Sequence, residues 1–370
     1  MIFVFTWILL LPAVGISVYF YFFFRRAFCA FGVDKDAPLG KWIALLAGAV
    51  LGLPCCSFRT LYALFALHLF GFCAFFDLVR FLVCLGLKKK TTVLQRVRRL
   101  FACGVLPLVC TLAVIFGGAL NMANVRPTYY TVTTEKSIPD EGYRIAFVSD
   151  VHLGTSLDLA DIASLCHEIE GENIDMLILG GDIVDEGSNR AEISALFSQF
   201  AGVESKYGTY FVFGNHDRSR RTNEDLEGLI EKSGVTVLRD EALLLDGTLL
   251  LVGREDRGFS GEGERLTVSD LLAPYDEQLF RLVLDHQPSE YAECADMGVD
   301  LLLSGHTHGG QLFPLNLLQE IVPFNDAVYG ATPIGEKGIA IVSSGVAGWA
   351  YPVKTAAPAE YLIVDINSSK

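Results

Sequence analysis

Residues 144–152 read RIAFVSDVH, a short apolar run that ends in a carboxylate and an imidazole two positions apart. The pattern recurs downstream. MLILGGDIVD at 176–185, TYFVFGNHD at 209–217, FRLVLDH at 280–286 and LLLSGHTHGG at 301–310 each pass from an apolar run into Asp, Asn or His. Runs of this length, bounded by turn residues, predict buried strands, and five strands then deliver polar groups at their C-terminal ends, the edge where open α/β sheets bind ligands. Further strands are expected at 236–238, 248–252, 339–342 and 360–364. Helices are expected at 159–170 (Leu159, Ile162, Cys166, Ile169) and 191–200 (Ile193, Leu196, Phe197, Phe200), with a weaker one at 289–295. This alternation predicts a layered α/β (α+β) domain rather than a barrel.

Five of the seven histidines fall in these strand-end motifs. One histidine alone is more often a satisfied core residue, but five beside Asp150, Asp182 and Asn215 point to metal ligation. Imidazole and carboxylate without thiolate suit Mn, Fe, Zn or Co. The donors are too many for one tetrahedral ion and suit two ions sharing a carboxylate. Glycines ahead of Asp182, Asn215 and His306 let the chain turn tightly off each strand.

Outward from this domain the composition changes. Residues 1–122 hold 12 Lys/Arg and 3 Asp/Glu, and residues 123–370 hold 17 and 40, a net charge of −23 in the second part of a chain whose total is −14. Apolar stretches at 2–24, 42–58, 61–87 and 101–121 predict an N-terminal all-α region of four transmembrane helices, since about 20 residues cross a bilayer core. The positive charges Arg25 and Arg26 follow the first stretch instead of preceding it, the reverse of a cleaved signal peptide. Basic residues concentrate in two loops, at Arg25, Arg26, Lys35 and Lys41 and at Lys88–Lys90, Arg96, Arg98 and Arg99, against Arg59 alone in the loop between spans two and three. Both rich loops are expected to be cytoplasmic, which puts the acidic domain outside. The chain divides into a membrane region at 1–122, a connector or edge strand at 123–142 and a soluble domain at 143–370. Within the membrane, Asp77 and Arg80 are expected to neutralise each other, and His68 to make a helix–helix hydrogen bond. Seven of nine cysteines lie in this region without metal-ligand spacing. A disulfide between the other two, Cys166 and Cys294, has nothing in the sequence to support it. His167 is expected at the surface.

The ordered set D-x-H, G-D-x-x-D, G-N-H-D, a lone His and G-H-x-H resembles the calcineurin-like metallophosphoesterase superfamily over about residues 143–366. The G-H-T-H-G-G-Q form and the Ser343-Ser344-Gly345, Trp349, Pro352 stretch are similar to its bacterial membrane-anchored branch. The resemblance implies a β-sandwich flanked by helices and a dinuclear site in which Asp150, His152 and His308 hold one ion, Asn215, His286 and His306 the other, and Asp182 bridges. It implies in-line attack on phosphorus by a metal hydroxide, with His216 protonating the leaving oxygen and Asp185, or else Asp217, orienting that imidazole.

The family's protein phosphatases carry G-D-x-x-D-R-G and G-N-H-E, whereas Glu186 and Gly187 follow Asp185 here and the second block ends in Asp217. A phosphodiester or pyrophosphate is therefore expected over a phosphomonoester, on a phosphorylated small molecule or a lipid-linked substrate beside the bilayer. A UDP-2,3-diacylglucosamine-type pyrophosphatase is also admitted, but its substrate is cytoplasmic in the family. Lys354 replaces the branch's Arg, which weakens its case as a phosphate contact. Arg218, Arg220 and Arg221 are either a solvated loop or a basic rim for an anion. The acidic domain disfavours duplex nucleic acid. The rival expectation is a non-catalytic membrane sensor or scaffold that keeps a structural metal site.

Overall fold

The computed structural model describes residues 2–369 except 35, 58–59, 87–91, 93–95, 97–100, 155, 186, 218–225, 259–264 and 323. Lys35, Arg59, Lys88–Lys90, Arg98, Arg99, Glu186 and the three arginines Arg218, Arg220 and Arg221 lie outside the described residues. The chain forms two compact units, Met1–Gly117 and Gly118–Lys370.

The first unit holds the helices α1 (Ile2–Ala30), α2 (Pro38–Gly52), α3 (Leu61–Gly86) and most of α4 (Val105–Met122). Four stretches among the described residues are long and apolar enough to cross a membrane, Leu10–Ala30, Pro38–Cys56, Leu61–Leu85 and Val105–Met122. Asp77 meets Arg26 of α1 at 2.6 Å and accepts the Tyr19 hydroxyl at 2.8 Å, with Arg80 farther off at 3.6 Å. The expected Asp77–Arg80 pair is thus secondary to a cross-helix one, because the guanidinium of Arg26 reaches both carboxylate oxygens, at 2.6 and 2.7 Å. His68 turns back on its own helix, Nδ1 lying 2.9 Å from the Leu64 carbonyl, instead of bridging to another.

In the second unit two six-stranded sheets lie face to face. One runs β1 (Arg126–Thr134), β12 (Glu360–Ser368), β2 (Tyr143–Val148), β3 (Met176–Leu179), β4 (Thr209–Phe211), β5 (Thr236–Val237); the other runs β10 (Gly330–Ile334), β11 (Gly338–Val342), β9 (Leu301–Ser304), β8 (Phe280–Leu284), β7 (Leu249–Gly253), β6 (Glu241–Leu245). Side chains alternate across each strand. Ile145, Phe147, Met176 and Ile178 face Leu249, Leu251, Leu282 and Leu303 between the sheets. The alternate set, Ala146, Val148, Leu177 and Leu179, packs under α5 (Leu159–Glu170), α6 (Arg190–Ala201) and α7 (Leu226–Lys232). On the far side Leu250, Val252, Val283 and Leu302 pack under α8 (Val268–Leu272) and α9 (Tyr291–Asp296). Burial on both faces explains why these strands read as unbroken apolar runs.

Capping boxes start α5 at Asp158, whose partner is Asp161, and α6 at Asn189, whose partner is Glu192. Segment 126–134 is an edge strand, paired parallel to β12. Cys166 and Cys294 are buried and free, and His167 is exposed. The architecture is four apolar helices followed by a mixed α/β sandwich flanked by helices, as the sequence predicts.

Candidate active site

Strands β2, β3 and β4 run parallel in one sheet, and β7, β8 and β9 do so in the other. Their C-terminal ends meet. Asp150 and His152 follow β2, Asp182 and Asp185 follow β3, Asn215 and His216 follow β4, His286 follows β8, and His306 and His308 follow β9. Backbone N–H groups aim the carboxylates: His306 donates to both Asp150 oxygens at 3.1 Å, and His216 donates to Asp182 Oδ1 at 2.8 Å. Each bond ties the end of one strand to the end of another.

Asp150, His152, Asp182, His306 and His308 all take left-handed backbone angles, with φ between 46° and 71°. For residues with a Cβ this costs of the order of 1 kcal/mol each, and such strain concentrates where geometry serves a site. Two glycines make the close approaches possible. A Cβ on Gly181 would meet His286 Nδ1 at 2.6 Å, and one on Gly345 would meet the Asp150 Cβ at 2.5 Å.

Three groups of donors converge: Asp150, His152 and His308; Asp182, His286 and His306; and His152, Asp185 and His216. The first holds the three residues expected at one ion, and the second joins His286 and His306, expected at the other, to Asp182, expected to bridge. Asn215, 3% exposed, leaves its buried Oδ1 without a hydrogen-bond partner. His152 Nε2 and His308 Nε2 face each other at 3.3 Å, and His308 Nδ1 is fixed by the Ala347 carbonyl at 3.1 Å. His286 Nδ1 is fixed by the Gly180 carbonyl at 2.7 Å, and Nε2 lies 3.1 Å from Asp182 Oδ2. Backbone acceptors on Nδ1 thus set the tautomer that leaves Nε2 for a cation.

The electrostatics agree. Burial pushes His308 down to about 3, and burial with the charge of His286 pushes His306 down to about 4, so both are neutral imidazoles at pH 7. Asp182 and His286 polarise one another. Despite burial the imidazole holds the carboxyl far below the ordinary range, and despite burial Asp182 raises the imidazole well above its own. A divalent ion would balance the Asp182 carboxylate in the place of that imidazole. A buried oxygen without a partner, neutral imidazoles and ionised carboxylates together fit divalent cations.

Asp185 stands between two rings, Oδ2 lying 3.3 Å from His152 Nδ1 and Oδ1 lying 3.5 Å from His216 Nδ1. His216 is only partly buried. Burial lowers its pKa, but Asp185 and Asp182 outweigh burial and raise it. Asp217 sits elsewhere: its oxygens accept the N–H groups of Ile183, Val184 and Gly214 at 2.9–3.0 Å, so it ties the β3 and β4 loops together. Lys354 is fully buried and donates to the carbonyls of Ser344 and Gly345, supporting the turn that carries Gly345 against Asp150. It faces the backbone and not the site opening.

Arg257 escaped the sequence reading because no strand-end motif contains it. Its guanidinium is held by Gln287 Oε1 at 2.9 Å and Asn325 Oδ1 at 3.1 Å, and among the described residues it has no carboxylate partner. The nearby Arg254 and Arg265 differ, both being paired with Asp285 and Glu290.

The family model for calcineurin-like phosphoesterases matches residues 143–310. An uncharacterized metallophosphoesterase of Aquifex aeolicus is 30% identical over 260 residues, covering 69% of this chain and 98% of the relative. One from Campylobacter jejuni is 28% identical over 307 residues, covering 81% and 79%. A Danio rerio transmembrane protein with a metallophosphoesterase domain is 25% identical over 269 residues, covering 69% and 61%. The chain spans only 59% of the length of the Helicobacter pylori relatives it matches. Among solved structures, a Thermus thermophilus protein aligns at a TM-score of 0.37 and 14% identity over 54% of this chain and 88% of its own. The five motifs, their convergence where the C-terminal strand ends of the two sheets meet and the sequence relatives give one conclusion: the chain belongs to the calcineurin-like metallophosphoesterase family, with four membrane-capable helices ahead of the phosphoesterase domain.

Proposed function

We propose that this protein is a membrane-anchored hydrolase of phosphodiester or pyrophosphate bonds that uses two divalent ions. The observation that carries the reading is the meeting of the Asp150 and Asp182 donor groups beside a partly exposed His216. In this reading Asp150, His152 and His308 would hold one ion, Asn215, His286 and His306 would hold the other, and Asp182 would serve both. Ions of the Mn, Fe, Zn or Co kind would lower the pKa of a water and neutralise phosphoryl oxygens. Asp185 orients the ring of His216 through Nδ1, and the imidazole would hand a proton to the departing oxygen. By its second oxygen Asp185 also orients His152, so one carboxylate aligns a metal ligand and the acid. Arg257, held by neutral partners, supplies a positive charge for a phosphoryl oxygen.

Preference for a diester rests on Glu186 and Gly187, which stand where related protein phosphatases carry Arg-Gly. The four helices support a multi-pass cell-membrane location, and the clustering of Lys and Arg in two loops supports an extracytoplasmic domain. Tethering raises the local concentration of lipid-linked phosphoesters, which favours these over soluble substrates. The net charge of −23 in residues 123–370 disfavours duplex nucleic acid.

The test is cleavage of bis-p-nitrophenyl phosphate and p-nitrophenyl phosphate by the purified full-length chain with Mn added or chelated. Metal-dependent diesterase activity that exceeds monoesterase activity and is lost in Asp182→Asn is the expected result. Metal binding without cleavage of either ester would refute the enzyme reading.

A further inference from the structure

Beyond Met122, ten large apolar side chains among the described residues are exposed, and seven of them fall between residues 313 and 329. The other three, Tyr129, Leu244 and Leu266, are scattered, as single exposed apolar residues on soluble domains are. The cluster begins three residues after Gly310 and includes α10 (Leu315–Ile321). Phe313, Leu317, Leu318, Ile321 (73% exposed), Val322 and Phe324 (80% exposed) are uncovered by the rest of the chain's described residues, and Glu320 is the only charged residue in the 311–325 stretch. A surface of this kind on a folded domain marks an interaction site.

Its position says what covers it. The last turn of α4, a helix able to cross a membrane, belongs to the second unit and is bonded to segment 354–357. Lys354 N donates to the Gly118 carbonyl at 3.1 Å, and Asn121 Nδ2 donates to the carbonyls of Lys354 and Ala357 at 2.8 Å. The same segment holds the root of the apolar cluster: Phe313 N donates to Thr355 Oγ1 at 2.9 Å, and Thr355 N donates to the Gln311 carbonyl at 2.8 Å. One hydrogen-bonded strap therefore separates the end of a membrane span from the start of the patch.

We infer that residues 313–322 and 324 form a second membrane contact, an interfacial segment that lies in the headgroup region of the bilayer spanned by α1–α4. The segment has no basic face to bind membranes alone, and it needs none, because the covalent tether keeps the bilayer within reach. At its far end Thr307 Oγ1 bonds the Val328 carbonyl, and Asn325 holds Arg257. The contact would thus hold the mouth of the metal site at the lipid surface. This inference rests on the four spans and not on the diesterase reading.

Full-length Phe324→Trp and Leu318→Trp chains, in phosphatidylcholine nanodiscs whose acyl chains carry bromine, test it without any turnover. Subtracting wild-type emission removes Trp7, Trp42 and Trp349. The added tryptophan should emit to the blue and be quenched about twofold or more relative to unbrominated nanodiscs. Blue-shifted but unquenched emission in both variants would mean that protein, such as a second copy of the chain, covers the patch, and would overturn the inference. Unshifted, unquenched emission would leave the patch open to water and overturn it too. Unchanged melting of both variants checks the fold.

Discussion

Asp77 in the first unit and Asp182 in the second are both carboxylates with little access to water, and they are balanced in opposite ways. Asp77 has two guanidiniums and a phenol around it. Asp182 has imidazoles around it, among them His286, whose pKa it raises despite burial. A carboxylate neutralised by permanent cations of its own chain is structural. One neutralised only by groups that give up their proton to a metal is a site. The Asp285 network makes the same point at short range: Arg254 and Arg265 saturate it one residue from His286.

The contrast breaks most visibly at Asp182. Asp182→Asn should abolish metal-dependent turnover, whereas Asp77→Asn in the same purified protein should leave turnover of a soluble ester unchanged; steady-state rates compare the two. Next in size, His216→Ala should lower kcat by about 10²–10⁴-fold with metal stoichiometry intact, because it removes a proton donor and not a ligand. Equal losses for good and poor leaving groups would argue against that role.

A third prediction concerns stability. Asp285→Asn leaves two buried guanidiniums short of a partner and should cost about 3–5 kcal/mol, read by denaturant unfolding. The smallest effect is at Glu290. Burial opposes its charge, but Arg254 and Arg265 outweigh burial and hold its carboxyl below the ordinary range. A depressed carboxyl stabilises the fold above its unfolded pKa, near 4.5, and the contribution is lost as pH falls from there through the folded value. Glu290 is 41% exposed, so the effect should stay below about 1 kcal/mol, and Glu290→Gln should flatten unfolding curves only below that pH.

Much of this was legible in the sequence because the strands that carry ligands are buried on both faces and end in turn chemistry. Leu159–Glu170 and Met176–Leu179 stand where periodicity puts them. The two-sheet order was not legible, since β6 and β10 are edge strands, and a run such as Glu241–Leu245, which has no apolar–polar alternation, does not declare a face. Helix α10 was missed because it is only seven residues long, too short for the helical spacing of Leu317, Leu318 and Ile321 to stand out. Asp185 was expected to orient His216, but its second contact, to His152, needed the fold. Asp217 beside His216 in sequence suggested a partner for the ring, and only the loop geometry reveals that three backbone N–H groups occupy it.

Titration of Mn into the chelator-stripped full-length chain, followed by calorimetry, tests the central claim most directly. Two ions per chain in the wild type and fewer than two in Asp182→Asn are predicted. No binding to the wild type, or two ions bound as tightly by Asp182→Asn, would contradict the account.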